Sequence, residues 1–304
     1  MALSALVIGY GSIGKRHAEI MSAMDEIGDV SVLSSQSGLP YETLSSLEDI
    51  PRLNPDYIVV ASPTTQHYSQ LGFLEEHLQG KKILVEKPLF DSMVDFQVRN
   101  NEIVVGYNLR FHPLLQKIRE LCRDRRLWSI LVFCGTYLPD WRSGRDYRAT
   151  SSARKHSGGG VLLDLSHELD YVQWLAGPLE VEHAVSKKVS DLEIDTDDLL
   201  LFSGRAPGGA CVHIGLNYFT REPIRQIILD GEDISIQGDL IAKKLVVTMG
   251  GSKTEFSWPD LKRNQTYRAM HLAVLSNDYS NICKFDQGLQ TMALIESIRS
   301  WPKR

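Results

Sequence analysis

Short apolar runs recur through the first third of the chain, and between them apolar residues return every three or four positions. Short apolar runs are typical of buried strands, and the wider spacing is typical of helices that bury one face. The runs occupy residues 5–8, 30–33, 57–61, 83–85 and 103–107, and the clearest helical stretches are 12–24 and 66–78. Strands that alternate with helices predict right-handed βαβ units and a parallel sheet.

Beyond residue 113 the spacing of apolar positions changes. Residues 114–122 are typical of an amphipathic helix and residues 128–138 of a strand, and a long polar segment follows. A helical stretch at 161–175 ends at Gly177-Pro178, since glycine and proline stop helices. Short alternating runs then occupy 181–189, 199–203, 210–218, 225–229, 234–237, 245–249 and 254–258, before helical stretches at 267–283 and 288–300. This order predicts one open, mostly antiparallel sheet with helices.

Three glycines follow the first apolar run at the spacing Gly-x-Gly-x-x-Gly, and a helical pattern starts at Ser12. Gly9 permits a tight turn, Gly11 lets a diphosphate approach the main chain, and Gly14 lets the helix pack closely on the strand. The phosphates would lie at the helix N-terminus, where unpaired N–H groups attract negative charge. The strand before the glycines and the helix after them favour a dinucleotide site over a glycine-rich turn in another α/β protein.

Together these patterns predict an α/β protein of two domains, for which 304 residues are ample. Residues 1–112 are expected to form an N-terminal Rossmann dinucleotide-binding domain, and residues 113–304 a C-terminal α/β domain with a large open, mostly antiparallel sheet. The net charge of −5 gives no general attraction to nucleic acid or to an anionic membrane. No apolar run approaches the ~20 residues of a membrane helix.

The cysteines are far apart and include no Cys-x-x-Cys pair: Cys122, Cys134, Cys211 and Cys283. This spacing argues for reduced thiols in a cytoplasmic protein, and against a disulfide framework or a zinc site. Residues 1–8 lack a basic stretch and lead directly into the glycine turn, which is typical of a strand and not of a signal peptide.

The second predicted strand ends where a dinucleotide-binding fold carries an acidic residue for the ribose hydroxyls, about 20 residues beyond the glycines. The sequence there is Ser34-Ser35-Gln36-Ser37, without a carboxylate. Since a carboxylate would repel a 2′-phosphate, its absence leaves both NAD and NADP open. The hydroxyls of Ser34 or Ser35, together with Arg16, are candidates to accept that phosphate. Alternatively, these serines are turn residues.

Four candidate residues follow predicted parallel strands: Gly9, Ser62, Lys87 and Asn108. Ligands of such sheets bind outside the carboxyl ends of the strands, so we expect these residues to converge on one crevice. Lys87 stands at its mouth between Glu86 and Pro88. A partly desolvated lysine can exchange a proton with a substrate hydroxyl. The alternative is an ordinary surface lysine after a strand.

Asp164, His167 and Asp170 recur at intervals of three within the helical stretch 161–175. This spacing predicts that they lie on one helix face, with His167 beside both carboxylates. Carboxylate neighbours hold a histidine in one tautomer and suit it to general acid–base catalysis. A surface ion pair and a metal site are the alternatives. The metalloprotease pattern fails because Tyr171 stands where the second histidine would be.

The polar segment 139–160 is locally basic in an acidic protein, with aromatic residues interspersed. Its basic and aromatic residues include Trp141, Arg142, Arg145, Tyr147, Arg148, Arg154, Lys155 and His156. Arginine forks suit phosphate or carboxylate groups, and aromatic faces suit sugar or base rings. The segment is therefore either a substrate-recognition loop or a solvated, partly mobile loop.

Taken in order, these motifs resemble the Gfo/Idh/MocA oxidoreductases, and the resemblance covers nearly the whole chain. It rests on residues 9–17, Ser62-Pro63-Thr64-Thr65-Gln66-His67, Glu86-Lys87-Pro88, Arg110-Phe111-His112-Pro113, and the triple glycine 158–160 that leads to Asp164, His167 and Asp170. It implies a Rossmann domain that binds NAD(H) or NADP(H). It also implies a C-terminal domain that binds substrate and uses its open sheet for homodimer or homotetramer contacts.

The resemblance also implies roles for single residues. Lys87 looks like the family's catalytic lysine, and His167 like its acid–base histidine with Asp164 as helper. Many members space that pair by four residues, whereas this chain spaces it by three. The expected cofactor contacts are Gly9, Gly11, Ser12, Ile13, Gly14, Arg16, Ser34, Ser35, Ser62, Pro63, Thr64, His67, Glu86, Lys87 and Asn108. The candidate substrate contacts are Arg110, Trp141, Arg142, Tyr147 and Arg154, and no metal site is predicted.

We therefore predict an NAD- or NADP-dependent oxidoreductase that moves hydride between nicotinamide and a hydroxyl or keto carbon of a sugar, with Lys87 and His167 handling the proton. Residues 141–170 are similar to members from surface-polysaccharide or flagellin sugar pathways, which points to a nucleotide-activated or otherwise anionic sugar. The alternatives are an enzyme of the same fold for an inositol, a free aldose, a dihydrodiol or a bilin, and a non-catalytic dinucleotide-binding protein.

Overall fold

The computed structural model describes residues 2–142 and 144–302, which form two compact units. The first unit comprises the described residues up to Phe111 together with Lys262–Leu289. The second comprises His112–Leu261 and the described residues from Gln290 onward. The sequence analysis instead placed residues 113–304 in one domain. Lys262–Leu289 belongs to the first unit because its apolar residues, among them Tyr267 and Met270, lie in that unit's core.

The elements within these residues follow the predicted α/β order. The strands are β1 Leu3–Ile8, β2 Ile27–Leu33, β3 Glu42–Leu44, β4 Tyr57–Val60, β5 Lys82–Val85, β6 Glu102–Val105, β7 Leu127–Tyr137, β8 Glu180–Lys187, β9 Leu199–Arg205, β10 Cys211–Asn217, β11 Phe219–Gly231, β12 Ile234–Asp239, β13 Lys244–Met249, β14 Ser252–Ser257 and β15 Cys283–Lys284. The α-helices are α1 Ser12–Met21, α2 Ile50–Leu53, α3 His67–His77, α4 Pro113–Cys122, α5 Val161–Asp164, α6 His167–Ala176, α7 Arg263–Leu275 and α8 Phe285–Arg299. Short 3-10 helices occupy Leu47–Asp49, Thr64–Gln66, Asn108–Phe111, Leu138–Asp140, Tyr147–Ala149, Ser151–Ala153 and Lys155–Ser157.

The sheet of the first unit has the strand order β15-β6-β5-β4-β1-β2-β3. Its strands are parallel except for β15, which pairs antiparallel with β6. Strand β4 is buried at every position, which explains its continuous apolar sequence. Ile8 lies opposite both Leu33 and Val60, and Val85 lies opposite both Val60 and Val105. The carboxyl ends of these strands therefore form one row along an edge of the sheet.

Helix α7 is shorter at its C-terminal end than the predicted helix 267–283. Asn277 has a φ of +59°, and the Asp278 N–H donates to the Ala273 carbonyl at 2.9 Å. This left-handed turn ends the helix. Cys283, which was predicted to end the helix, forms strand β15 with Lys284 on the edge of the sheet. Cys283 is therefore buried in a strand rather than on a helix face.

The sheet of the second unit has the strand order β14-β13-β12-β11-β7-β10-β9-β8. Among the described strands, β7 and β10 pair in parallel and the other neighbours pair antiparallel. This confirms the predicted open, mostly antiparallel sheet. One face packs into the unit's core. The register places exposed apolar side chains together on the other face: Leu131, Phe133, Leu201, Ile224 and Ile228.

The predicted continuous helix 161–175 is wrong, because α5 ends at Asp164 and α6 begins at His167. Leu165 has φ −98° and ψ +27°, which departs from helical geometry. The Ser166 N–H lies 3.4 Å from the Leu163 carbonyl, a three-residue contact that tightens the chain at this point. The spacing argument that places Asp164 and His167 on one helix face therefore does not hold.

Candidate active site

The glycine turn of the first unit has the geometry that a diphosphate site requires. Gly9 has a φ of +93°, and a Cβ there would lie 2.8 Å from the Ser62 main chain. A Cβ on Gly14 would lie 1.9 Å from the Gly9 carbonyl oxygen, so α1 packs directly on the turn. At Gly11 a Cβ would meet no described atom within 4 Å. Gly11 is therefore the glycine at which the main chain is open to a ligand.

The N-terminus of α1 is also suited to an anion. Gly11 is its N-cap, no described side chain caps the helix, and its first turn carries no acidic residue. The first N–H groups of a helix lack partners within the helix and attract phosphate. Ser12 and Ile13 supply two of these groups at the start of α1. The residues present thus fit a dinucleotide diphosphate.

The strand ends bring the predicted crevice residues of the first unit together. Gly9, Ala61, Glu86 and Gly106 directly follow the aligned row of strand ends, and their N–H groups donate across the sheet to neighbouring strands. Ser62, Lys87 and Asn108 lie one or two residues further along. These positions share the edge that bears the glycine turn, as the sequence predicted for a ligand site.

Ser34 directly follows β2 and lies in a hydrogen-bonded turn. Its hydroxyl oxygen accepts the Gln36 N–H at 3.1 Å, and the Gln36 amide donates to the Tyr10 carbonyl at 2.9 Å. Ser34 is thus a turn residue, and its contact with a ribose phosphate stays a prediction. The Arg16 guanidinium lies over the Tyr267 ring, 5.5 Å from its centroid.

His67 connects two loops of the first unit. Its ring nitrogens lie 3.1 Å from the Leu89 carbonyl and 3.2 Å from the Ser62 carbonyl. The ring is buried, and burial lowers the pKa of His67. His67 therefore lies between the Ser62 loop and the loop that follows Lys87, and a neutral ring, which has one N–H, donates to one of the two carbonyls. Pro63 and Thr64, two further expected contacts, begin the intervening 3-10 turn.

Lys87 is half-buried, whereas Glu86 before it and Pro88 after it are buried. The Lys87 main-chain N–H donates to the Glu86 carboxylate at 3.2 Å, and the Lys87–Pro88 peptide is cis. The hydrogen bond holds the main chain of the lysine at the strand end, and the role of its side chain stays a prediction.

Hydrogen bonds from Asn108 and Arg110, which follow β6, connect the first unit's parallel strands to the segment Lys262–Leu289. The Asn108 amide donates to the Thr266 hydroxyl at 2.8 Å. The Arg110 guanidinium donates to the Ile282 carbonyl at 3.1 Å and to the Gln287 side chain at 2.6 Å. Arg110 is only 2% exposed. These contacts explain why the segment joins the first unit, and they give Arg110 a structural task beside its predicted contact with substrate.

In the second unit, Asp164 and His167 are half-buried, whereas the residues around them are buried. Every residue of 161–170 is described, and all except these two are buried, including Asp170. The buried Tyr218 hydroxyl donates to the Asp164 carboxylate at 2.6 Å. Tyr218 was not predicted, and its place at the end of a strand 54 residues away gave no signal. Asp164 is therefore held from β10's end rather than through a shared helix face.

Two acids, the half-buried Asp197 and the buried Glu168, fix the helices that carry this pair. The Asp197 carboxylate accepts the Leu162 N–H at 2.9 Å at the start of α5, and burial raises the pKa of Asp197. Glu168, in the first turn of α6, accepts two hydrogen bonds from Arg225 at 2.6 and 2.9 Å. Breaking a buried ion pair of this kind is costly, so it anchors α6 to β11.

The basic segment folds on itself as 3-10 turns. Arg148 pairs with Asp146 and Glu193, and Arg154 donates to the Arg148 carbonyl at 2.9 Å. Trp141 donates to Thr136 at 2.8 Å and packs edge-on against Tyr218, while the Tyr147 hydroxyl accepts the Glu193 N–H at 3.1 Å. Arg142 is exposed.

A groove of about 590 Å³ lies beside this basic segment. Its lining includes Arg148, Arg154, Lys188, Asp191, Glu193 and Asp195. Carboxylates thus neutralise much of the charge that the sequence suggested.

Within the described residues, no group of three or more His, Cys, Asp or Glu side chains is placed to hold a metal ion. Nor does this part of the chain contain a helix that is both long and apolar enough to cross a membrane. Cys122 and Cys134 are buried thiols, and burial raises their pKa values to about 11 and about 12.

Comparison with known proteins gives matches along both units. Residues 3–99 match the family described as "Oxidoreductase family, NAD-binding Rossmann fold", and residues 115–237 match the "GFO/IDH/MocA C-terminal domain". A 2,7-anhydro-N-acetylneuraminate hydratase of Escherichia coli is 24% identical over 270 residues, 82% of this chain and 71% of its own length. An uncharacterized oxidoreductase of Synechocystis is 26% identical over 155 residues, 48% of this chain but 41% of its own length.

Among solved structures, the UDP-N-acetylglucosamine 3-dehydrogenase GnnA of Acidithiobacillus ferrooxidans has the same fold. It superimposes with a TM-score of 0.78, covering 98% of this chain and 97% of that one, at 18% sequence identity. The likeness in fold thus extends over almost the full length of both chains.

Proposed function

Since the chain belongs to the Gfo/Idh/MocA oxidoreductase family and carries its NAD-binding Rossmann fold, we propose that it catalyses hydride transfer between a nicotinamide dinucleotide and a hydroxyl or keto carbon of a sugar or nucleotide sugar. The observation that carries the proposal is the edge of the first sheet, where the open glycine turn and the restrained Lys87 share one row of strand ends.

The proposed chemistry divides into a hydride and a proton. The bound dinucleotide supplies the hydride acceptor, or donor in the reverse direction. On oxidation the substrate C–H bond breaks with its electron pair leaving toward the dinucleotide, the hydroxyl loses its proton, and a carbonyl forms. In this proposal Lys87 takes that proton, His167 exchanges it, and Asp164 orients the imidazole. The Tyr218 hydrogen bond supports the last role because it holds the Asp164 carboxylate in one position.

The substrate class is proposed from the family and from the fold likeness to a dehydrogenase of a UDP-sugar. The test is to supply purified protein with NAD⁺ or NADP⁺ and with UDP-N-acetylglucosamine, glucose or myo-inositol. We expect reduced dinucleotide to accumulate with the nucleotide sugar. If reduced dinucleotide accumulates with inositol or glucose instead, the proposed hydride transfer stands and the proposed substrate class is wrong. Tight dinucleotide binding without oxidation of any compound would favour a non-catalytic protein.

A hydratase is a second candidate, because a relative of that name matches 82% of this chain. Hydration consumes water and leaves no net reduced dinucleotide. Incubation with 2,7-anhydro-N-acetylneuraminate therefore separates the candidates. Product formation without a change in the absorbance of the nicotinamide would favour the hydratase.

The dinucleotide preference is expected to depend on Ser34. We propose that the site after β2 admits both NAD and NADP, because residues 34–37 carry no carboxylate. A Ser34→Asp change would place a negative charge at the ribose hydroxyls and lower NADPH affinity relative to NADH by about tenfold or more, through repulsion of the 2′-phosphate.

This is measured as the ratio of the two dissociation constants by calorimetric titration. Ser92→Asp adds the same charge at an exposed position after β5 and should leave the ratio unchanged. An unchanged ratio in Ser34→Asp would place the ribose elsewhere.

We also propose that the exposed sheet face of the second unit is the contact surface of a homodimer or homotetramer. Leu131, Phe133 and Leu201 expose apolar surface on neighbouring strands, and exposed apolar patches of this kind mark association sites. Phe133→Asp combined with Leu201→Asp is expected to lower the molar mass measured by light scattering to that of one chain. Val189→Asp, which changes another exposed apolar residue, is the control and should leave the molar mass unchanged. An oligomer that persists in the double variant would contradict the proposal that this face is the contact surface.

A further inference from the structure

A chain of hydrogen bonds between buried side chains ends at the residue before Lys87. The Tyr57 hydroxyl lies 2.8 Å from His271 Nδ1, and His271 Nε2 lies 2.9 Å from His17 Nδ1. His17 Nε2 lies 2.8 Å from Glu86 Oε1. Tyr57, His17 and His271 are fully buried, and Glu86 is 7% exposed. All four belong to the first unit, although 254 residues separate the two histidines.

The pattern of donors and acceptors assigns the protons along this chain. Tyr57 must donate to His271 Nδ1 if its hydroxyl hydrogen is to have an acceptor among these atoms. His271 Nε2–H then donates to His17 Nδ1, and His17 Nε2–H donates to the Glu86 carboxylate. Both rings are neutral Nε2–H tautomers in this arrangement, and every polar atom of the rings is paired. Burial holds the pKa of His271 well below its usual value, in agreement with a neutral ring.

The far end of the chain reaches the Lys87 main chain. Glu86 Oε1 accepts from His17, and Glu86 Oε2 accepts the Lys87 N–H at 3.2 Å. A Cβ on Gly106 would lie 3.0 Å from Glu86 Oε1, so the neighbouring strand end leaves room for the carboxylate and no more. The hydrogen bonds join three elements, α1, β4 and α7, to this carboxylate at the end of β5.

We propose that this buried chain is a positioning device for Lys87, in which His17 and His271 fix the Glu86 carboxylate and the carboxylate fixes the main chain of the lysine. His17 lies in α1, the helix that begins at the glycine turn. The same chain therefore sets the lysine against the dinucleotide-binding turn. The inference rests on the proposed function only for the task of Lys87. Tyr57, His17 and His271 contact neither cofactor nor substrate in the proposal, and Glu86 is the member that lies next to the expected cofactor contacts.

A purely structural account would make the histidines polar members of a core. The two accounts predict different activities for a variant that stays folded but lacks one hydrogen bond of this series. His17→Leu removes the donor to Glu86, while His17→Gln keeps an N–H donor near the position of Nε2. Tyr57→Phe removes only the distal hydroxyl and leaves the contact to Glu86, so it serves as the matched control.

We expect His17→Leu to lower kcat about tenfold, which corresponds to the loss of a hydrogen bond to a buried charge, while KM and dinucleotide affinity change little. His17→Gln should restore most of kcat, and Tyr57→Phe should be close to the parent protein. Glu86→Gln should move the acidic limb of the pH–rate profile for sugar oxidation to lower pH, because loss of a buried negative charge makes the nearby amine that takes the proton easier to deprotonate. The titratable groups that contact or sense that charge are His17, Tyr57, His67 and Tyr267, and Lys87 follows Glu86 in the sequence.

Nitrogen-15 NMR of the histidine rings tests the chain without any substrate. The ring signals of His17 and His271 are assigned by their loss in the His17→Gln and His271→Gln variants. In the parent protein, both signals should be those of neutral Nε2–H tautomers near neutral pH. A doubly protonated ring or an Nδ1–H tautomer at either position would overturn the proton assignment and the proposal with it. If His17→Leu fails to fold, Glu86→Gln carries the kinetic test, and a parental kcat and pH profile in that variant overturns the positioning role.

Failure of this inference is distinguishable from failure of the proposed function. If the parent protein oxidises a sugar and Lys87→Ala does not, the function stands. A folded His17→Leu with the parental kcat and pH profile then overturns only the positioning role. If no sugar is oxidised, the proposed function fails, and the NMR result still decides whether the hydrogen-bond chain exists as assigned.

Discussion

Lys87→Ala is expected to lower kcat by about 10²–10⁴-fold, the usual contribution of a positioned acid–base group. The side chain lies at the row of strand ends beside the glycine turn, and its main chain is held by Glu86. His167→Ala should cause a loss of similar size. The measurement is steady-state kinetics with the sugar found in the substrate screen, together with dinucleotide titration of each variant.

Dinucleotide affinity should survive in both variants, because the glycine turn and the α1 N-terminus are untouched. Lys81→Ala is a matched control, since it removes a lysine of the same unit that donates to the Asn54 carbonyl. Full activity in Lys87→Ala and His167→Ala would remove both residues from the mechanism. A loss of dinucleotide binding in Lys87→Ala would instead make the lysine a cofactor ligand.

Replacing three glycines with alanine, one at a time, should distinguish glycines needed for packing from glycines needed for dinucleotide binding. Gly14→Ala would drive a methyl group to 1.9 Å from the Gly9 carbonyl oxygen, which is main chain and cannot move aside cheaply. We expect it to lower the free energy of unfolding by about 1–3 kcal/mol or more and to abolish measurable dinucleotide binding. Gly11→Ala meets open space, so it should leave stability nearly unchanged and weaken binding where the diphosphate approaches.

Gly72→Ala is the control for these changes. It lies within α3, where no described atom comes within 4 Å of an added Cβ, and it should stabilise the protein by about 1 kcal/mol through helix propensity. Thermal unfolding and dinucleotide titration measure both effects. Parental binding in Gly11→Ala and Gly14→Ala would show that the dinucleotide does not lie on this turn.

The parts of the fold that local rules decide were predictable from the sequence. Gly9 and Gly14 follow from a strand, a tight turn and a helix within about a dozen residues, and their geometry is as the spacing predicts. The apolar runs of the first sheet are continuous because both of its faces are buried, so they read directly as parallel strands. Lys87 could be singled out because a strand and a proline enclose it.

The parts that depend on distant contacts were not predictable. The return of Lys262–Leu289 to the first unit depends on burial of Tyr267 and Met270 in a core built from the first third of the chain. His17 carried a signal, as a histidine on the apolar face of α1, but its partner His271 is 254 residues away. The break between Asp164 and His167 was missed because apolar spacing is nearly the same for one helix as for two joined by a single turn.

Transfer of isotope from substrate to dinucleotide tests the central claim most directly. UDP-N-acetylglucosamine with deuterium at its ring carbinol carbons would be incubated with the protein and oxidised dinucleotide, and the dinucleotide then analysed by mass spectrometry. The account predicts one deuterium per reduced dinucleotide with the parent protein, and reduced dinucleotide that forms about 10²–10⁴-fold more slowly with Lys87→Ala. A product formed while the dinucleotide stays bound but free of deuterium, for this sugar and for the others of the screen, would contradict it.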